Sequence, residues 1–319
     1  FCIACFIRDT VGALGMHRAA PVQYIRPEII GLILGAYVLS MIRGEHQSRG
    51  GSSPIIRFIL GFFVMIGALM FLGCPIRMIL RLGGGDLNAL FGIAGFAGGI
   101  GFGTIFLKKG YSLQRTYALS KLESAMMPAI QVALLVLVVT APAFIFFSQK
   151  GPGAMHAPWL ISLAAGLVVG GLSQFSRLCT VGGFRDLFLF KKSILIFGYL
   201  AVLVGVFVVN ISFGNFHLGF ENQPIAHTDG LWNFLGMALA GFCSVLLGGC
   251  PLRQLIMTGE GNSDSAVTVL GLAADAAFAH NFGLAASGAG PTLNGQIAVG
   301  VGFVVALIIA ILNTKRANA

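Results

Sequence analysis

The sequence predicts an all-α polytopic membrane protein, with about nine transmembrane helices plus re-entrant half-helices in an inverted internal repeat. Three observations predict it. The 319 residues are 56% hydrophobic and only 10% charged, with 45 glycines. A soluble domain carries about 25% charged residues, so a water-facing surface cannot be built from this chain. Several apolar runs approach the roughly 20 residues that cross a bilayer as helix. A β-barrel would need alternating segments of about ten residues, which are absent. Third, a cysteine signature is written twice. Cys2 and Cys179 are each followed six residues later by Arg-Asp, as Arg8-Asp9 and Arg185-Asp186, and Gly73-Cys74-Pro75-Ile76-Arg77 returns as Gly249-Cys250-Pro251-Leu252-Arg253. The offsets, 179 − 2 = 177 and 250 − 74 = 176, nearly agree, as a duplication requires.

Apolar stretches fall at Ile29–Ile42, Pro54–Leu72, Leu87–Leu107, Ala125–Phe147, Trp159–Phe175, Ser193–Phe213, Leu231–Gly248, Ser265–Phe282 and Gly295–Leu312. The region from Cys74 to Gly85 is too polar to span and reads as a half-helix ending in a glycine turn. Its counterpart runs from Cys250 through Gly259-Glu260-Gly261. The repeat divides the chain into residues 1–150 and 151–319. The run Trp159–Phe175 precedes Cys179, whereas nothing precedes Cys2 but Phe1. The repeat therefore predicts a helix ahead of Cys2, the alternative being a first repeat that lacks it. With that helix each half has five spans. An odd number inverts the second half, a common transporter plan with its site where interrupted helices meet.

Charge orients the chain. With Lys315 and Arg316 placed in the cytoplasm, Arg43 to Arg57, Lys108 to Lys121 and Arg185 to Lys192 also fall inside. The loops Gly214–Gly230 and Gly283–Asn294 fall outside and contain no Lys or Arg. Arg8, Arg18, Arg26, Arg77 and Arg81 land toward the outside and need another explanation. The net charge of +9 belongs to these loops; no basic-aromatic patch marks a nucleic-acid surface.

Pro75 and Pro251 suit the first position of a helix, which puts Cys74 and Cys250 at N-caps. Unpaired N–H groups and the positive dipole end favour an anion there, with Arg77 and Arg253 one turn further on. Arg8 and Arg185, each followed by an acid, read as structural ion pairs with Asp9 and Asp186. Arg77 and Arg253 have no adjacent acid and can guide anions or anchor to headgroups. Cys243 has no repeat partner and reads as a small buried hydrophobe. Cys5 aligns with Gly182, so a pathway role and a packing role both stand. Four thiolates suit zinc or copper(I), but they come from separate segments, and an arginine beside each would repel a cation. No metal and no cofactor are expected. Asp275 and His280 read as a local cap, an interhelical hydrogen bond or a proton relay.

At these motifs the sequence resembles the YeeE/YedE sulfur-transport family, most closely the selenium-associated YedE branch. The resemblance rests on Phe1 to Asp9, on the segment from Ala19 to Glu28, and on the contexts of Cys74, Cys179 and Cys250, and it covers essentially the whole chain. It implies an inner-membrane permease of hourglass shape, in which the ion passes along cysteines by S–H hydrogen bonds without covalent chemistry. Cys74, Cys179 and Cys250 match those contexts, Cys2 is the expected fourth, and Cys5 is an addition.

The sequence thus leads to a multi-pass, non-enzymatic transporter of a small sulfur- or selenium-containing anion such as thiosulfate. The expected pathway residues are Cys2, Cys5, Cys74, Cys179, Cys250, Arg77 and Arg253. Its surroundings are the lipid bilayer and, on the inside, a sulfur or selenium carrier protein. No GxxxxGK[ST] motif is present, so an ion gradient or trapping would drive uptake. The rivals are a persulfide-forming membrane sulfurtransferase and a non-transporting subunit of a selenium or redox system.

Overall fold

Each of the nine apolar stretches is a helix, and a shorter helix follows each repeated cysteine. The computed structural model describes residues Phe1–Thr314; Lys315 and Arg316, which orient the C-terminus by charge, lie outside the described residues. The long helices are α2 (Pro27–Ile42), α3 (Pro54–Met70), α5 (Asn88–Lys108), α6 (Lys121–Thr140), α7 (Trp159–Ser176), α9 (Ile194–Ser212), α10 (Gly230–Leu247), α12 (Ser263–Asn281) and α13 (Leu293–Leu312). The short ones are α1 (Ile3–Ala13), α4 (Pro75–Gly83), α8 (Thr180–Phe190) and α11 (Pro251–Gly259). A two-stranded ribbon pairs β1 (Arg49–Gly50) with β2 (Tyr117–Ala118).

Among the described residues eight segments are long and apolar enough to cross a membrane, so the protein is an all-α multi-pass membrane protein. The ninth stretch forms α12, whose Asp264, Asp275 and His280 keep it outside that set. The stretch expected to run to Phe147 stops as helix at Thr140. Pro142 lies two residues on, and the residue before a proline is disfavoured in the right-handed helical region; Ala141 leaves it and is left-handed.

Local chemistry sets the other ends. Asp229, Asn262 and Thr292 each accept a backbone N–H from three residues on, at 3.0–3.1 Å, which satisfies a donor the first turn leaves free. Pro27 and Pro54 open α2 and α3 as Pro75 and Pro251 open α4 and α11.

The centre is a crossing of α3 and α10, both deeply buried. The His227 ring, just ahead of α10, hydrogen-bonds the Met70 carbonyl at the last turn of α3, 2.8 Å. The two helices therefore run antiparallel. Each has a glycine-mediated partner. Gly95 of α5 lies against the Phe234 carbonyl of α10, and Gly271 of α12 lies against the Phe58 carbonyl of α3. The two contacts are separated by 271 − 95 = 176 and 234 − 58 = 176 residues, the offset of the two Cys-Pro motifs. Further out, α11 packs on α2 and α4 on α9, while α2 also pairs closely with α7.

Candidate functional site

The four short helices bring the repeated cysteines together at their first turns. Cys2 caps α1, its Sγ accepting the Cys5 N–H at 3.3 Å. Cys179 caps α8, its Sγ accepting the Gly182 N–H at 3.3 Å. Their backbones agree closely, with φ/ψ of −156/111° and −153/115°. Cys74 and Cys250 cap α4 and α11 with φ/ψ of −81/169° and −70/166°. The expected N-cap positions are thus observed, and the cysteines of each motif share one local geometry.

The thiols form two pairs. Cys2 and Cys74 are neighbours, and the Ile3 N–H donates to Cys74 Sγ at 3.2 Å. Cys179 and Cys250 are neighbours, with the Thr180 N–H facing Cys250. All six cysteines are free and buried. Each pair therefore sits where two helix N-termini converge, and their outward N–H groups favour negative charge. Cys243, fully buried in the middle of α10, belongs to neither pair, as expected of a packing residue. Cys5 lies beside Cys2. It lines a cavity of about 180 Å³ with Cys2, Arg8, Asp9 and Arg77.

The arginines divide differently from the sequence expectation. Arg8 donates to Asp9 Oδ1 at 2.7 Å, and Arg26 donates to Asp9 Oδ2 at 2.6 Å. The first ion pair is therefore a triad, buried at all three members. Arg185 and Asp186 pair at 2.9 Å but are partly exposed. Arg81 is bound by Asp86 at 2.6 Å, and Arg18 lies over the Phe146 ring. Of the five arginines expected on the outer side, Arg8, Arg26 and Arg81 have acidic partners, whereas Arg18 and Arg77 have none among the described residues. Arg77 donates only to the Pro224 carbonyl, at 3.3 Å, and its Nε is buried without a partner. Arg77 and Phe1 also line a neighbouring cavity of about 380 Å³.

Arg253 corrects the expectation. Although it occupies the place of Arg77 in the second motif, both its terminal nitrogens donate to Glu260, each at 3.0 Å. Glu260 also receives Arg177 at 2.6 Å, and Arg177 reaches Glu45 at 2.6 Å. The hydrogen bond from Arg43, then that from Gln174, holds the Glu45 carboxyl below the usual carboxylate range. The corresponding place near Arg77 is Gly84, so no carboxylate exists there (260 − 84 = 176). The Glu260 cluster adjoins β1 at the start of α3, through the Gln47 and Arg49 backbone bonds. Pro224 and His227 lie at the other end of α3. The two ends therefore differ: Arg77 has no acidic partner at one, whereas Arg253 at the other joins a network of three arginines, Arg43, Arg177 and Arg253, with two carboxylates, Glu45 and Glu260.

Two buried polar residues escaped the sequence reading. Glu260 was visible only as part of a turn. Tyr199 is the sole buried residue of α9, a clue that needs the packing. Asp275 was expected to cap, to bond another helix or to relay protons with His280; it makes neither a cap nor an interhelical bond, since it is fully buried with neither oxygen partnered, and the His280 Nε2 is also unpartnered. Asp275 occupies the place of Gly99 (275 − 99 = 176), which packs on the Ala238 carbonyl. No family model matches the chain, and no curated protein matches it.

Proposed function

We propose that this protein is an inner-membrane permease for a small sulfur- or selenium-containing anion of the thiosulfate type, built as two inverted halves. Its many apolar helices are compatible with a membrane transporter. The observation that carries the substrate class is the pairing of four buried thiols at four helix N-termini, approached past the acid-free Arg77. The 176-residue spacing of paired contacts and the antiparallel crossing of α3 and α10 support the inverted plan.

The chemistry follows from charge and softness. Arg77 attracts the anion at the outer mouth, and helix termini offset part of its lost hydration. The thiols of Cys2, with Cys5 beside it, and of Cys74 donate S–H hydrogen bonds to the polarizable sulfur or selenium; Cys179 and Cys250 then do the same. Such weak, repeated contacts suit passage, because conduction needs binding that also lets go. At the inner mouth Glu260 pairs with Arg253, so the ion is released to the cytoplasm or to a sulfur or selenium carrier.

Uptake of labelled thiosulfate into cells tests this, with Cys74→Ala, Cys179→Ala and Cys250→Ala measured separately. Each is expected to lower uptake roughly tenfold or more, since one bond to an ion is worth about 1.5–3 kcal/mol. Unchanged uptake in all three overturns the relay. A persulfide trapped on one cysteine points instead to the sulfurtransferase. The mouths give a second prediction. Arg77→Gln is expected to raise the half-saturating thiosulfate concentration roughly tenfold. Glu260→Gln, by freeing Arg253 while Arg177 stays on Glu45, is expected to lower both that concentration and the maximal rate several-fold, as tight binding slows exit. Equal responses in the two variants would refute the asymmetry.

A further inference from the structure

Two hydroxyls stand beside the second thiol pair. Thr180, the first residue of α8, is 1% exposed, and Tyr199 of α9 is 6% exposed. Neither Thr180 Oγ1 nor Tyr199 OH makes a well-formed hydrogen bond, although Thr180 is within loose hydrogen-bond reach of both the Cys250 thiol and Tyr199 OH. Tyr199 also lies within electrostatic reach of Cys179 and Cys74. The remaining eighteen residues of α9 are at least partly exposed, so Tyr199 is the one side chain this helix buries fully.

A buried hydroxyl left wholly unbonded costs about 1–3 kcal/mol, and two hydroxyls without well-formed bonds meet at this one point, so a better acceptor there would be favoured. Each hydroxyl has a proton to donate, and the adjacent N-termini of α8 and α11 add outward N–H groups. Cations are committed elsewhere in this half: Arg253 to Glu260 and Arg185 to Asp186. The first thiol pair, by contrast, has Arg77 beside it.

We infer that Thr180 and Tyr199 form an oxyanion subsite, in which their hydroxyls hold the oxygen end of the ion while Cys179 and Cys250 hold its sulfur or selenium end. The inference rests on the proposed transport of such an ion and makes these residues determinants of its specificity. The subsite takes thiosulfate or selenosulfate, which carry both hard oxygens and a soft terminus. A soft anion without oxygens, such as thiocyanate, meets the thiols and leaves the hydroxyls idle. Because the donors are neutral, the ion passes from a charged first site to an uncharged second one, which favours onward movement.

The test reconstitutes the full chain in vesicles and compares Thr180→Val, Thr180→Ser and Tyr199→Phe with wild type. Thiosulfate is the transported ion and thiocyanate the competitor. Thr180→Val and Tyr199→Phe are each expected to raise the half-saturating thiosulfate concentration roughly tenfold, with thiocyanate inhibition unchanged. Thr180→Ser keeps the hydroxyl and is expected to match wild type. Folding is checked by thermal melting, and thiosulfate-induced stabilisation of the purified protein gives an independent readout of binding. If folded Thr180→Val and Tyr199→Phe keep wild-type thiosulfate constants, the subsite is refuted while transport stands. If thiocyanate inhibition weakens in parallel, the hydroxyls serve no oxygen-specific role and the inference also fails. If wild type takes up no thiosulfate, or its uptake ignores the cysteines, the transport reading itself falls.

Discussion

Asp9→Ala is expected to lower the stability of the protein by about 3–5 kcal/mol, the cost of leaving buried charge uncompensated. Both carboxylate oxygens of Asp9 are used, Oδ1 by two nitrogens of Arg8 at 2.7 and 2.9 Å, Oδ2 by two of Arg26 at 2.6 and 2.8 Å. Removing the carboxylate strands two guanidinium groups, each 5% exposed. Asp9→Asn is expected to fare little better, because its amide nitrogen cannot accept from a guanidinium fork. Asp186→Ala is the control. Its pair with Arg185 is partly exposed, at 25% and 31% of the side chains, so the loss is expected to stay below about 1 kcal/mol. Thermal melting in detergent measures all three. Equal losses at Asp9 and Asp186 would show that the triad carries no special stability.

Gly95→Val is expected to be comparably damaging, at about 3 kcal/mol, the upper end of the cost of overpacking. A Cβ on Gly95 would fall inside the contact distance of the Phe234 carbonyl oxygen, and Gly99 meets the Ala238 carbonyl in the same way. The obstacle is backbone, so no rotamer change relieves it, and α5 must move away from α10. The same substitution at Gly271, against the Phe58 carbonyl, is expected to cost a similar amount. Gly205→Ala provides the contrast. No atom lies within 4 Å of the added carbon, and alanine improves helix propensity by about 0.5–1 kcal/mol. Yield of monodisperse protein and its melting temperature report the difference; a tolerated Gly95→Val would disprove the close crossing.

These two cases also show what was legible in advance. Arg8-Asp9 and Arg185-Asp186 are the same dipeptide in the same setting of the sequence, yet one is a buried triad and the other a partly exposed pair. The difference is Arg26, seventeen residues beyond Asp9 and brought back by the turn ahead of α2. Arg77 and Arg253 are likewise indistinguishable in their motifs and were expected to act alike. Glu260 pairs with one, and Gly84 leaves the other free. Long apolar helices were legible because burial in lipid demands composition, and composition is a property of the segment itself.

By itself the sequence determined the all-helical membrane class, the nine apolar helices, the repeated cysteine motifs and the place of Cys74 and Cys250 at helix starts. Each of these follows from local chemistry: apolar length, a proline after Cys74 and Cys250, and a motif repeated at a constant offset. Only the tertiary structure decided which thiols are neighbours, which Cys-Pro motif arginine keeps its charge unpaired, and that Thr180 and Tyr199 stand without well-formed hydrogen bonds beside Cys250. Those facts depend on side chains meeting from α1, α4, α8, α9 and α11. Lateral packing, set by glycine crossings and buried charge, brings them together, and no single segment encodes it.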